Sequence, residues 1–172
     1  MKFENQEGTT TMNSEFRVGL CAALLLTALV VGGAAQTTDP AAAPRVIFVC
    51  EHGAAKSVIA TAYFNKIAAE RGLPDRATYR GANPQAELSV SALEGLKEDG
   101  LTLPTAKPSP ITADDVTAAT HIFAIGCSLP SAATASGKAD SWDDVPEDHG
   151  YAAQRDAIKT HVERLIDQLQ KR

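Results

Sequence analysis

Residues 45–50, RVIFVC, are apolar at every position after the first, with no polar alternation. A strand written this way has both faces buried, and a parallel sheet covered by helices on each side meets that demand. The next residues fit such a unit. EHGAA is a loop of small and polar residues, and KSVIATAYFNKIAAERG carries Val58, Ile59, Ala62, Tyr63 and Ile67 at helical spacing before a stop at Gly72. ATYRG (77–81) reads as a second strand. SVSALEGLKEDG predicts a second helix, with Ser91 and Glu94 at capping-box spacing, Leu93 and Leu96 inward and Gly100 as its stop. After a proline-rich turn over 104–110, Thr112 and Asp115 open a short helix, and HIFAIG (121–126) predicts a third strand ending at Cys127. A last helix over 153–169 places Ile158, Val162, Leu165, Ile166 and Leu169 on one face. The expected fold is α/β: a three-layer α/β/α arrangement around a four-stranded parallel sheet with right-handed crossovers. Ligands in such sheets sit beyond the carboxyl ends of the strands, where Cys50 and Cys127 both fall.

The 172 residues carry 16 basic against 21 acidic side chains, a net charge of -5, which gives no basic footprint for nucleic acid. Arg17 precedes an uncharged apolar run over 18–35 that ends in small residues, with Gly33 and Ala35 placed for cleavage ahead of Gln36 and Met12 as an alternative start. Residues 1–35 are therefore read as a signal peptide and the protein as exported, with the periplasm as its expected compartment. The rival reading is a membrane anchor formed by residues 18–35, because that run approaches the roughly 20 residues that span a bilayer. Residues 36–44 form a small-residue and proline linker, and 45–172 the folded domain. Without the leader only Cys50 and Cys127 remain, and an exported compartment permits a disulfide between them. The four histidines show no zinc-ligand spacing with these cysteines, so neither metal nor cofactor is expected.

The loop after the first strand carries the chemistry. Small residues between a strand end and a helix start turn several backbone N–H groups into one concavity, and the helix N-terminus adds partial positive charge. A cysteine set there is favoured as the nucleophilic thiolate. Cys50 is the nucleophile in this reading, Lys56 adds a cation, and the Ser57 hydroxyl supports the thiolate.

CEHGAAKS resembles the Cys-x5-Arg-Ser loop of the low-molecular-weight protein tyrosine phosphatases and their arsenate reductase relatives, in the same place after the first strand. YRGANPQAELSVSALEGLKEDGL is similar to the second strand and following helix of that superfamily, ITADDVTAATHIFAIGC to its third strand, and SWDDVP to its late Asp-Pro segment. The resemblance runs from Arg45 to the C-terminus. It implies that Cys50 attacks phosphorus or arsenic while the N–H groups of Glu51, His52, Gly53, Ala54, Ala55 and Lys56 hold the oxyanion. It also implies a general acid at Asp144, with Asp143 as the alternative because Val145 separates Asp144 from Pro146. Lys56 stands where the family carries Arg, supplying charge without a planar fork. Gly53 stands where the family carries a loop-rigidifying Asn, and His52 is read as a loop-shaping residue.

Three functions follow from the resemblance. The first is an exported phosphatase that hydrolyses phosphomonoesters, phosphotyrosine among them, through a cysteinyl-phosphate. The second is an arsenate reductase-like thiol enzyme with Cys127 as redox partner to Cys50. The third is a non-catalytic module that binds phosphate, arsenate or a phosphomonoester, favoured by Lys56 and Gly53. A membrane enters only if the N-terminal segment is retained. Arg80 reads as an anion-pocket charge or an ion-pair member, and Trp142 and Tyr151 as pocket rim or core.

Overall fold

The apolar run forms β1, Arg45–Cys50, whose last five residues are buried. A computed structural model describes residues 45–147 and 149–172; the leader and linker assigned to residues 1–44 lie outside the described residues. In chain order β1 is followed by α1 (Lys56–Glu70), β2 (Arg76–Gly81), α2 (Val90–Glu98), α3 (Ala113–Ala118), β3 (His121–Ala124), α4 (Ser131–Thr134), β4 (Ala139–Ser141) and α5 (Gly150–Leu169). The four strands form one parallel sheet in the order β2-β1-β3-β4. The chain leaves β1 toward β2 on one side and later pairs β3 on the other. The crevice between the ends of β1 and β3 is thus a topological switch point, where open α/β sheets bind ligands.

Alternation along β1 sorts the core into two layers. Val46, Phe48 and Cys50 join the larger cluster with Phe64 of α1 and Ile158, Val162 and Ile166 of α5. Ile47 and Val49 point the other way, packing with Ala119, Ile122 and Ala133. All five residues placed on the inner face of the last helix are buried. Trp142 belongs to this core, against Phe48, Phe123 and the His161 ring. Tyr151 is likewise structural: its hydroxyl and that of Tyr63 both donate to Asp99, tying α1, α2 and α5 together.

Local signals decide several boundaries. Thr112 and Asp115 form the expected reciprocal cap of α3. Asp115 also takes both arms of Arg80, each at 2.8 Å, so Arg80 is an ion-pair member that braces β2 against α3. Burial acts to raise the Asp115 carboxyl, but hydrogen bonds from Arg80 and Thr112 outweigh it and hold the group below the usual carboxylate range. The second helix begins earlier than the Ser91–Glu94 spacing predicts: Ser89 is the cap and accepts from the Ala92 N–H. The last helix also starts earlier, at Gly150, and β3 stops at Ala124. Among the described residues no helix is long and apolar enough to cross a membrane.

Candidate active site

The loop 51–55 leaves the end of β1 and returns as the first turn of α1. Its carbonyls are held by the chain beyond β2. Cys50 O accepts from Ala82 N at 3.0 Å, Glu51 O from Asn83 N at 2.7 Å, His52 O from Gln85 N at 3.2 Å, and Ala54 O from Ser89 N at 3.0 Å. With these carbonyls turned to one side, the loop N–H groups are left for the other. Among the described residues no acceptor takes the N–H groups of Glu51, His52, Gly53, Ala54 or Ala55. These donors and the α1 N-terminus make a concave site for an anion. His52 Nδ1 lies 3.3 Å from the Asn83 carbonyl oxygen.

Gly53 has a specific reason to be glycine. Its φ is +62°, and an added Cβ would lie 2.7 Å from the Gly81 nitrogen and 3.0 Å from the Arg80 carbonyl carbon. The close approach of Gly53 and Gly81 brings the loop against the end of β2, where backbone hydrogen bonds hold it.

Cys50 sits at the floor, 3 % exposed, with Sγ 3.1 Å from Oγ of the fully buried Ser57. A cavity of about 530 Å3 opens above it. Its walls are the loop residues, Gln85 and Ser89 before α2, Gly126 after β3, and Glu147 and Gln154 at the start of α5. A larger hollow of about 710 Å3 lies between α1, β2 and the segment 100–106, but Cys50 does not line it. Volume alone therefore does not locate the chemistry.

The cation and the carboxylates are arranged differently from expectation. Lys56 lines the cavity, and its Nζ donates to Glu147 Oε1 at 2.8 Å. That hydrogen bond and the ammonium charge hold the Glu147 carboxyl below the usual range. The geometry does not place Asp144 or Asp143 as the general acid. Asp144 Oδ1 lies 2.7 Å from His161 Nε2, an interaction that lowers its carboxyl, and Asp143 accepts from the Ser141 hydroxyl. Neither lines the cavity. Glu147, three residues on in the same acidic stretch, was not singled out by the sequence; the signal available was its place after the proline of SWDDVPED.

Cys127 is half-buried beyond β3, and its Sγ lies 3.5 Å from the carbonyl oxygen of Val49, the residue before Cys50. Both cysteines are free thiols. Cys127 packs with the Ile47 and Val49 layer, whereas Cys50 belongs to the opposite one. Burial, reinforced by the negative charge of Cys50 across the crevice, pushes the Cys127 thiol up to about 11. At pH 8 such a thiol is thiolate in roughly one molecule per thousand. Iodoacetate at pH 8 is therefore expected to spare Cys127, to modify Cys50, and to be slowed at Cys50 by phosphate or arsenate. Peptide mass spectrometry reads both sites; equal labelling of the two, without protection, would rule out an anion cradle over Cys50.

The model of the low molecular weight phosphotyrosine protein phosphatase family matches residues 45–129. Among solved structures, YfkJ of Bacillus subtilis superposes with a TM-score of 0.64 at 20% identity, over 75% of this chain and 96% of that one. A thioredoxin-dependent arsenate reductase of Corynebacterium glutamicum gives 0.61 at 25% identity, over 74% of this chain and 62% of that one. The family match and these neighbours agree with the phosphatase and arsenate reductase superfamily that the sequence resembles. A further similar structure is the YwlE arginine phosphatase of Bacillus subtilis, a cysteine-to-serine variant with a phosphorylated active-site serine. It superposes with a TM-score of 0.64 at 22% identity, over 74% of this chain and 96% of that one. No curated protein matches. Set against the loop motif of the superfamily, the departure that matters geometrically is Lys56, whose single ammonium is already engaged by Glu147.

Proposed function

We propose that the domain is a phosphomonoesterase that works through a cysteinyl-phosphate at Cys50 and favours substrates with stabilised leaving groups, aryl phosphates such as phosphotyrosine among them. The observation that supports this best is Cys50 Sγ at 3.1 Å from Ser57 Oγ, beneath loop N–H groups whose carbonyls are tied elsewhere. In the first step the Cys50 thiolate attacks phosphorus, the S–P bond forms, and the P–O bond breaks with its electron pair leaving on the ester oxygen. The loop N–H groups and Lys56 meet the charge on the equatorial oxygens. In the second step water attacks phosphorus and the thiolate leaves, with Ser57 donating to it. The apolar run over 18–35 is the basis for placing this activity outside the cytoplasm.

In this reading the leaving oxygen goes without a positioned proton donor: among the described residues of the segment after β4, Glu147 is paired with Lys56 and held ionised by it, and neither Asp143 nor Asp144 lines the cavity. A positioned general acid contributes about 10²–10⁴-fold, so its absence falls on substrates whose leaving group most needs protonation. p-Nitrophenyl phosphate should be turned over at least about 10²-fold faster than an alkyl phosphate. Similar rates for the two would show that an acid reaches the site, and Asp144 released from His161 would be the first to substitute.

A second reading draws on the 3.5 Å contact between the Cys127 sulfur and the Val49 carbonyl oxygen. Arsenate would be taken up as a Cys50 S–As(V) adduct, an As–O bond breaking with release of water. Attack of Cys127 on Cys50 would then release arsenite, leaving a disulfide that an external dithiol must reduce. The opposite core layers of the two cysteines and the raised Cys127 thiol weigh against it. Oxyanion binding without turnover would move the non-catalytic reading ahead of both.

A further inference from the structure

Among the described residues Lys56 is the only lysine or arginine that lines the cavity above Cys50, and its ion pair is asymmetric. The Lys56 side chain is 11 % exposed and that of Glu147 68 %. If the pair opens, the carboxylate passes into water at little cost, whereas the ammonium stays in a confined place and needs another anion. Leaving a charge buried and unpaired is far more costly than exposing one. Lys56 is thus satisfied in two ways, by Glu147 or by an oxyanion in the loop.

The pair is also held from outside. Gly126, with φ +58°, offers an open face against which it sits: an added Cβ there would lie 2.7 Å from Lys56 Nζ and 2.9 Å from Glu147 Oε1. From α5, Gln154 Nε2 donates to the Glu147 carbonyl oxygen at 2.9 Å, which fixes the backbone that carries the carboxylate.

We propose that Glu147 is the gate of the oxyanion cradle: an internal counter-ion that holds Lys56 at rest and must yield it to the entering anion. The proposal rests on the cradle reading above and adds how entry is controlled. A dianion attracts the ammonium more strongly than a monoanion, so the gate favours phosphate and arsenate over singly charged ions. Glu147 acts through Lys56 and is a positioning residue, with no contact to the reacting bond required of it.

The test is a double-mutant cycle read by calorimetric titration with inorganic phosphate on the full chain. Glu147→Gln keeps the side-chain shape and removes the charge, and its exposed position leaves the thermal midpoint unmoved. We expect phosphate to bind Glu147→Gln about tenfold more tightly than the parent, because the confined ammonium no longer has to leave a competing carboxylate before it meets the anion. In a Lys56→Met background the same substitution should change the affinity by less than about twofold, because the gated cation is gone. A purely structural role for Glu147 would move neither the affinity nor this coupling. Equal binding by parent and Glu147→Gln, or weaker binding by the variant, overturns the gate and leaves the cradle standing. No phosphate binding by either overturns gate and cradle together.

Discussion

Cys50→Ser is expected to lower phosphomonoester turnover by about 10⁴-fold or more while leaving phosphate affinity within a few-fold of the parent. The two effects separate because different atoms carry them. The nucleophile is one sulfur, 3.1 Å from Ser57, whereas the anion is held by backbone N–H groups that the substitution does not touch. Serine is also the conservative replacement in packing terms, since the position is already close to a buried hydroxyl. Turnover of p-nitrophenyl phosphate and titration with phosphate check the pair of values. A variant that keeps more than about a tenth of the parent rate would remove Cys50 from the chemistry.

Gly53→Ala should be strongly damaging for a single added methyl. The left-handed φ of +62° costs a non-glycine residue about 1–2 kcal/mol. The new Cβ would also lie 2.7 Å from the Gly81 nitrogen, where backbone, and no flexible side chain, must move. Overpacking of this kind adds about 1–3 kcal/mol. A total near 3 kcal/mol corresponds to a fall in the thermal midpoint of roughly 10 °C for a domain this size. Phosphate binding should be lost with it, because a shift of Gly81 disturbs the neighbouring bonds from Ala82 and Asn83 that turn the loop carbonyls away. An unchanged midpoint with unchanged affinity would mean that the loop is not fixed by the Gly53–Gly81 approach.

The parts of this molecule legible in its sequence are those where one residue type answers one local demand. The apolar run of β1 is buried on both sides, the Thr112–Asp115 pair caps its helix, and the inner stripe of α5 is the one its spacing predicts. The sequence also carried the fold family through CEHGAAKS and its setting. β4 was not placed because three residues, ADS, carry no apolar run; they pair with β3 through backbone alone. At the site, the loop and its cysteine were legible, and the partners of the charged groups were not. Whether Asp144 faces the cavity or His161, and whether Lys56 meets Glu147, depends on how the segment after β4 crosses toward α5. Nothing in the local spelling SWDDVPED distinguishes three carboxylates within five positions. Gly53 shows the converse: read as a lost side chain, it is a contact between two backbones that only the folded sheet brings together.

In the proposed reaction Cys50 carries the phosphoryl group between the two steps. Rapid acid quenching of the full chain during turnover of p-nitrophenyl phosphate, followed by peptide mass spectrometry, tests it directly. One phosphoryl group is expected on the peptide containing Cys50, and none in Cys50→Ser. Turnover with no trapped phosphoryl group on Cys50, or the appearance of a Cys50–Cys127 disulfide in its place, would contradict it.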